Sequence, residues 1–159
     1  MPMRIGDAIP SFEGATDWLN ELQETADDYV SGQPTLVYFW ATSCGICKEN
    51  MPKLQELKAK YKDKGLRTVA IHMPRYEADT ELEKVKATIQ QHCIDDVCAV
   101  DNQHKLKEAF LNEQGWVPVY YLFDADGKLK SRAAGEFGVG VLSSALEKMF
   151  PAQASEAAA

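Results

Sequence analysis

The sequence predicts an α/β chain built on a mixed sheet, and three observations carry that reading. Residues 34–41, PTLVYFWA, are β-branched and aromatic behind a proline, the pattern of a buried strand. From Gly45 to about Tyr61 the apolar residues Ile46, Met51, Leu54, Leu57 and Tyr61 recur every three to five positions, which is helical spacing. A second apolar run, GLRTVAIHMP at 65–74, follows directly, so the first two strands should be parallel and joined by a right-handed crossover. Farther on, VPVYYLFDADGKLKSRAAG (117–135) places an Asp-Gly turn between two strand-like runs, which predicts a hairpin and supplies the antiparallel part of the sheet.

The remaining elements follow in order. Residues 1–20 mix proline, glycine and acids with Ile5, Ile9, Phe12 and Trp18, and read as an extended segment or short edge hairpin. Residues 21–33 hold a short helix ended by Gly32. Pro52 falls inside the helix that starts at Gly45 and should kink it. Leu82, Val85, Ile89 and Cys93 mark one face of a helix over about 79–93. VCAV (97–100) is a short strand, Leu106, Ala109 and Phe110 a short helix, and GVGVLSSALEKMF (138–150) a last helix stopped by Pro151. The expected domain is 1–150, with 151–159 as a frayed tail.

Composition narrows the function. Hydrophobic residues make up 45% of the 159 and charged residues 26%, as in soluble globular chains. The net charge of −7, from 24 acidic and 17 basic residues, argues against nucleic acid and anionic membranes, which select basic patches. The first residues lack the continuous apolar stretch of a secretory signal, and no run approaches the length of a membrane helix. With Met1 as the start, a cytoplasmic address is expected, where stable structural disulfides are rare and a C-x-x-C is catalytic or metal-binding.

That motif is Cys44-Gly45-Ile46-Cys47, at the junction of the first buried strand with its helix. A helix N-terminus offers unpaired N–H groups and the positive end of the dipole, and both favour thiolate. A free cysteine of pKa about 8.5 is only a few per cent ionised at neutral pH; lowered to about 7 it is half ionised. Cys44 can then attack a disulfide, and Cys47, one turn further on, can resolve the mixed disulfide. Lys48 is the single positive charge the sequence places near Cys44. Zinc would need four ligands and could recruit Cys93 and Cys98. Cys93 continues an apolar helix face and Cys98 lies in an apolar strand, so both read as buried small hydrophobes. Asp124-Ala125-Asp126-Gly127 lacks the further ligands of a calcium loop and reads as a turn.

The stretch FWATSCGICKENMP (39–52), Trp116-Val117-Pro118, and FDADGKL followed by RAAG resemble, in order and spacing, the TlpA/ResA-type thiol-disulfide oxidoreductases of the thioredoxin-like superfamily. Pro34-Thr35-Leu36, the HMPR at 72–75 and residues 117–124 most resemble a soluble bacillar branch. The resemblance covers about residues 5–150. It implies a thioredoxin-like fold, with helices on both faces of the mixed sheet, and a redox pair Cys44–Cys47 with no bound cofactor or metal. It also implies a cis Val117–Pro118 bond opposite the cysteines, where the Val117 backbone offers strand-like hydrogen bonds to a substrate chain. Trp40 and Trp116 flank these two places and are candidate rim residues for docking. The segment His72–Arg75 should reach the same sheet edge as Cys44.

The expected partners are disulfide-containing proteins and an electron donor, either thioredoxin-reductase-like or a small thiol. A monomer is expected. Four features depart from the family: the dipeptide Gly45-Ile46 between the cysteines, Ser43 in place of tryptophan, Tyr38 in place of a buried aspartate, and Asn50 in place of a glutamate. The last two leave the proton acceptor for Cys47 open, with Glu49 and water as candidates. Two other readings stand beside this one: a thiol peroxidase of peroxiredoxin type, which would want threonine where Ala41 stands, and a metal-binding or carrier protein using all four cysteines.

Overall fold

The computed structural model describes residues 1–151. The elements run β1 (Asp17–Leu19), α1 (Ala26–Val30), β2 (Thr35–Trp40), α2 (Gly45–Lys62), β3 (Arg67–His72), a 3-10 turn (Glu77–Thr80), α3 (Leu82–Gln91), β4 (Val97–Val100), α4 (Lys105–Ala109), β5 (Val119–Phe123), β6 (Leu129–Ala134) and α5 (Gly138–Met149). The six strands form one sheet in the order β1-β4-β3-β2-β5-β6. β2, β3 and β4 are parallel, while β1, β5 and β6 run antiparallel to their neighbours. The sheet is therefore mixed, with the expected parallel β2–β3 pair at its centre. The expected tail lies, from residue 152 on, outside the described residues.

The N-terminal segment is extended and does not form a hairpin. Its two halves pair at opposite ends of the sheet: Ala8 bridges to Lys128 beside the β5–β6 turn, and β1 pairs with β4. That turn uses Gly127 at φ +75°, a left-handed conformation that glycine adopts without steric cost.

Every residue of β2 is buried, because helices cover both faces of the sheet. On the Tyr38 face lie α2, with Lys58 over the Tyr38 ring, and α5, whose Gly138 comes up against Tyr120. On the other face Phe39 meets Phe110, at the end of α4, edge-on at 5.6 Å and Tyr121 at 5.9 Å. Buried aromatic pairs of this kind add about 0.5–1.5 kcal/mol each beyond the area they bury. Pro52 sits inside α2, which continues helical on both sides of it. The parallel strands end at Trp40, His72 and Val100 along one edge, and the loop entering β5 returns to that same edge.

Candidate active site

The end of β2 hands the chain to α2 through Ala41, Thr42 and Ser43. Cys44 is the N-cap of α2, and its sulfur accepts the Cys47 backbone N–H at 3.0 Å. Cys44 and Cys47 are joined in a disulfide with Cα atoms 5.3 Å apart. Both are nearly sealed in this oxidised form, 2% and 3% exposed. In the dithiol form the same N–H and the positive end of the helix dipole would face the Cys44 sulfur and favour its thiolate.

The loop after β3 closes over this junction. The buried His72 ring accepts the Thr42 N–H on Nε2 at 3.0 Å. The Asp79 carboxylate accepts from the Thr42 hydroxyl at 2.9 Å, the Ser43 hydroxyl at 2.7 Å, and the N–H groups of Arg75 and Tyr76 at 2.9 and 3.3 Å. Burial works against the Asp79 charge, but the hydrogen bonds from Arg75, Ser43, Thr42 and Tyr76 together hold its carboxyl below the usual carboxylate range. The Arg75 guanidinium donates to the Ser43 carbonyl at 2.7 Å and to its hydroxyl at 3.2 Å. The sequence placed residues 72–75 at this edge but did not reveal Asp79, nor the grip on Ser43. It also counted Lys48 as the single positive charge near Cys44; Arg75, bonded to the preceding residue, corrects that.

Burial pushes His72 down to about 4, against the opposing influence of Asp79. The ring is therefore neutral near neutral pH, and its Nε2 lone pair is free to accept. A histidine whose folded pKa lies below the unfolded value of about 6.5 contributes no penalty above pH 6.5, and stability is lost as the pH falls from there toward 4. The full loss is about 3 kcal/mol. Urea unfolding between pH 7 and pH 4.5 should show this slope, and His72→Gln, which keeps an acceptor but cannot titrate, should flatten it. An unchanged slope in the variant would overturn the assignment to His72. Asp79 contributes loss in a separate window, below its unfolded value near 4.

The third side of the site is the loop entering β5. The Val117–Pro118 bond is cis. Because Phe39 pairs with Val119 in the antiparallel β2–β5 ladder, Val117 and Pro118 lie past the end of that ladder, on the edge that carries the disulfide. Asn112, buried and missed by the sequence reading, fixes this loop by accepting the Trp116 N–H and donating to the Trp116 carbonyl, both at 3.0 Å. Trp116 is 47% exposed and is available as a rim residue. Trp40 is not: at 1% exposure it is sealed in the core with its ring edge-on to His72 at 4.8 Å. Its place as a docking residue is thus corrected to core packing.

The Redoxin family matches residues 4–149. The chain belongs to the Redoxin family. It is 41% identical over 140 residues to the thiol-disulfide oxidoreductase YkuV of Bacillus subtilis (strain 168), spanning 88% of this chain and 92% of that protein. It is 31% identical over 149 residues to the thiol-disulfide oxidoreductase ResA of Bacillus anthracis, spanning 94% and 80%. The solution structure of a thioredoxin-like protein in its oxidised form superposes with a TM-score of 0.80 at 38% identity, covering 92% of this chain and 97% of that one. The fold is thioredoxin-like, and the chain is a thiol-disulfide oxidoreductase.

The other two cysteines of this Redoxin chain stand apart from the site. Cys93 is exposed, not buried as its spacing suggested. The helix stops short of it at Gln91, and Cys93 turns to φ +55°. Ile94 then donates to the Ile89 carbonyl at 3.0 Å and takes the buried place in the apolar face. Cys98 is buried as expected, and burial pushes its thiol up to about 12. Among the described residues no group of three or more His, Cys, Asp or Glu is placed to hold a metal, so the four-cysteine site is not assembled. Asp124 accepts from the N–H groups of Asp126 and Lys128, forming the turn expected there.

A buried carboxylate does exist, although Tyr38 occupies the family's position for one. Asp96 is largely buried just before β4, its side chain 10% exposed, paired with Lys58 of α2 and accepting from the Tyr38 hydroxyl at 2.9 Å. The backbone of Lys58 lies eleven residues along α2 from that of Cys47, about 16 Å at the helical rise, and Asp96 is held by Lys58 and Tyr38, not by Cys47. Asn50 is also committed elsewhere, since it donates to the Glu136 carbonyl at 3.1 Å.

Proposed function

We propose that the chain reduces disulfides in protein substrates, with Cys44 as nucleophile and Cys47 as resolver. The observation that carries this assignment is the Cys47 N–H held on the Cys44 sulfur at the first turn of α2. The Cys44 thiolate attacks one sulfur of the substrate disulfide. That S–S bond breaks, a mixed disulfide forms, and the departing substrate thiolate takes up a proton. Cys47 then loses its proton and attacks the Cys44 sulfur, which releases the second substrate thiol and leaves the enzyme disulfide. The half-exposed Trp116 and the Val117 backbone before the cis Pro118 would seat the substrate chain as an added strand. A thioredoxin-reductase-like protein or a small thiol would return the two electrons.

The direction follows from a moderately acidic Cys44 in a reducing cytoplasm, the compartment we propose. A strongly oxidising dithiol needs a thiolate of pKa about 3.5 and a potential near −120 mV. A helix N-terminus with modest help from charge should give roughly −220 to −280 mV. Equilibration in glutathione and dithiothreitol buffers, followed by tryptophan fluorescence, measures this value. A potential above about −150 mV would mean an oxidase and would overturn both the direction and the compartment.

A further inference from the structure

We propose that Arg75, anchored by Asp79, is the positive charge that sets the acidity of the Cys44 thiol. The inference rests on Cys44 being the nucleophile. Ser43 is covalently joined to Cys44, and the Arg75 guanidinium holds it at two points, the carbonyl at 2.7 Å and the hydroxyl at 3.2 Å. Peptide geometry keeps the Ser43 carbonyl oxygen within about 5 Å of the Cys44 sulfur, so the guanidinium lies within about 8 Å of it. That is no more than a Debye length at physiological salt. No carboxylate among the described residues forms an ion pair with Arg75, whose one ring neighbour is Tyr76. The nearest carboxylate, Asp79, reaches the guanidinium only through the Ser43 hydroxyl, at 2.7 and 3.2 Å, so it offsets the Arg75 charge in part without a direct ion pair.

Asp79 makes this placement specific. One of its oxygens accepts from the Arg75 N–H and the Ser43 hydroxyl, the other from the Thr42 hydroxyl. The carboxylate thus ties the loop that carries Arg75 to the residues that precede Cys44. The Ser43 hydroxyl donates to Asp79 while accepting from Arg75, a double role that tryptophan, the residue usual here in the resembling family, could not fill. The other charged or titratable groups near Cys44 are Cys47, Lys48 and Glu49 on its own helix, His72 at the end of β3, and Tyr76 beside Arg75. The loop before β5 adds Trp116, Val117 and Pro118, none of which ionises, and Glu136 stands before α5. Asp79 acts against thiolate and Arg75 for it, and the two influences can be separated by sign.

The test is the pH profile of Cys44 alkylation by iodoacetamide in the reduced protein, with the modified cysteine identified by mass spectrometry. Arg75→Gln should raise the apparent pKa by about 0.5–1, as expected for a charge near 8 Å in a largely solvated setting. Below that pKa the reaction slows about three- to tenfold; well above it, where the parent is thiolate, the glutathione equilibrium shifts toward the enzyme disulfide by about the same factor. Arg75→Lys, which keeps the charge but loses the fork, should fall between. Asp79→Asn decides the anchoring: if Asp79 positions Arg75, the pKa rises although a negative charge has been removed. If it acts by charge alone, the pKa falls and the anchoring role is overturned. A profile in Arg75→Gln that superimposes on the parent overturns the role of Arg75. Modification of Cys47 in place of Cys44 would instead overturn the nucleophile assignment.

Discussion

Cys44→Ser is expected to drop insulin-disulfide reduction to the uncatalysed background, whereas Cys47→Ser should stop the reaction midway and leave substrates covalently attached to Cys44. A serine hydroxyl at the N-cap can still accept the Cys47 N–H, so the first variant should fold as the parent does. What it lacks is a group that ionises near neutral pH and carries a redox-active sulfur. The second variant keeps the helix N-terminus and the Arg75–Asp79 clamp around Cys44 but removes the sulfur that displaces the substrate. Mixed disulfides should therefore accumulate in Cys47→Ser, visible as adducts on non-reducing gels that dithiothreitol releases. Equal trapping by the two variants would overturn the assignment of roles. Rapid peroxide consumption without a disulfide partner would point instead to thiol peroxidase chemistry.

The parts of this site that the sequence disclosed are those written into short local patterns. The β2–α2 elbow shows as a change of period at Cys44, the Asp-Gly hairpin as a turn dipeptide, and the Val117–Pro118 bond as part of a familiar tripeptide. The parts it did not disclose depend on register. Asp79 meets Thr42 and Ser43 because parallel pairing aligns Trp40 with His72, so the loops leaving both strands emerge side by side. Nothing in the spacing of residues 72–79 announces that. Trp40 illustrates another limit: alternation separates core from rim only when one face of a strand is wet, and β2 is dry on both. Cys93 fails for a different reason. The helical spacing that carried it into the core holds only while the chain stays helical, and the left-handed turn at residue 93 passes the buried place to Ile94. Lys58 was equally hidden, since a lysine on an amphipathic helix reads as solvent-facing until a buried carboxylate is found beneath it.

That pair yields the largest stability effect expected away from the cysteines. Lys58→Met should destabilise the protein at pH 7 by about 3–5 kcal/mol, the range for breaking a buried ion pair by removing one partner. The methionine fills most of the space left by the lysine stem, so the loss is the uncompensated Asp96 charge and not a cavity. Asp95 lies 3.7 Å from Lys58 but is exposed, and its charge is satisfied by water. Burial already raises the Asp96 pKa, with the Lys58 charge and the hydrogen bonds from Lys58 and Tyr38 opposing it. Without Lys58 it must rise further. A carboxylate whose folded pKa exceeds its unfolded value gains folded stability as the pH falls, because the folded state then binds the proton more tightly. The destabilisation should accordingly shrink between pH 7 and pH 5, once Asp96 takes up a proton. In Lys58→Met/Asp96→Asn most of the stability should return at pH 7, since the Asn side chain is neutral and its carbonyl can still accept from Tyr38. Urea unfolding of the three proteins at the two pH values measures these differences. A cost under about 1 kcal/mol, or one that does not change with pH, would show that water reaches Asp96 and that the pair is not buried in solution.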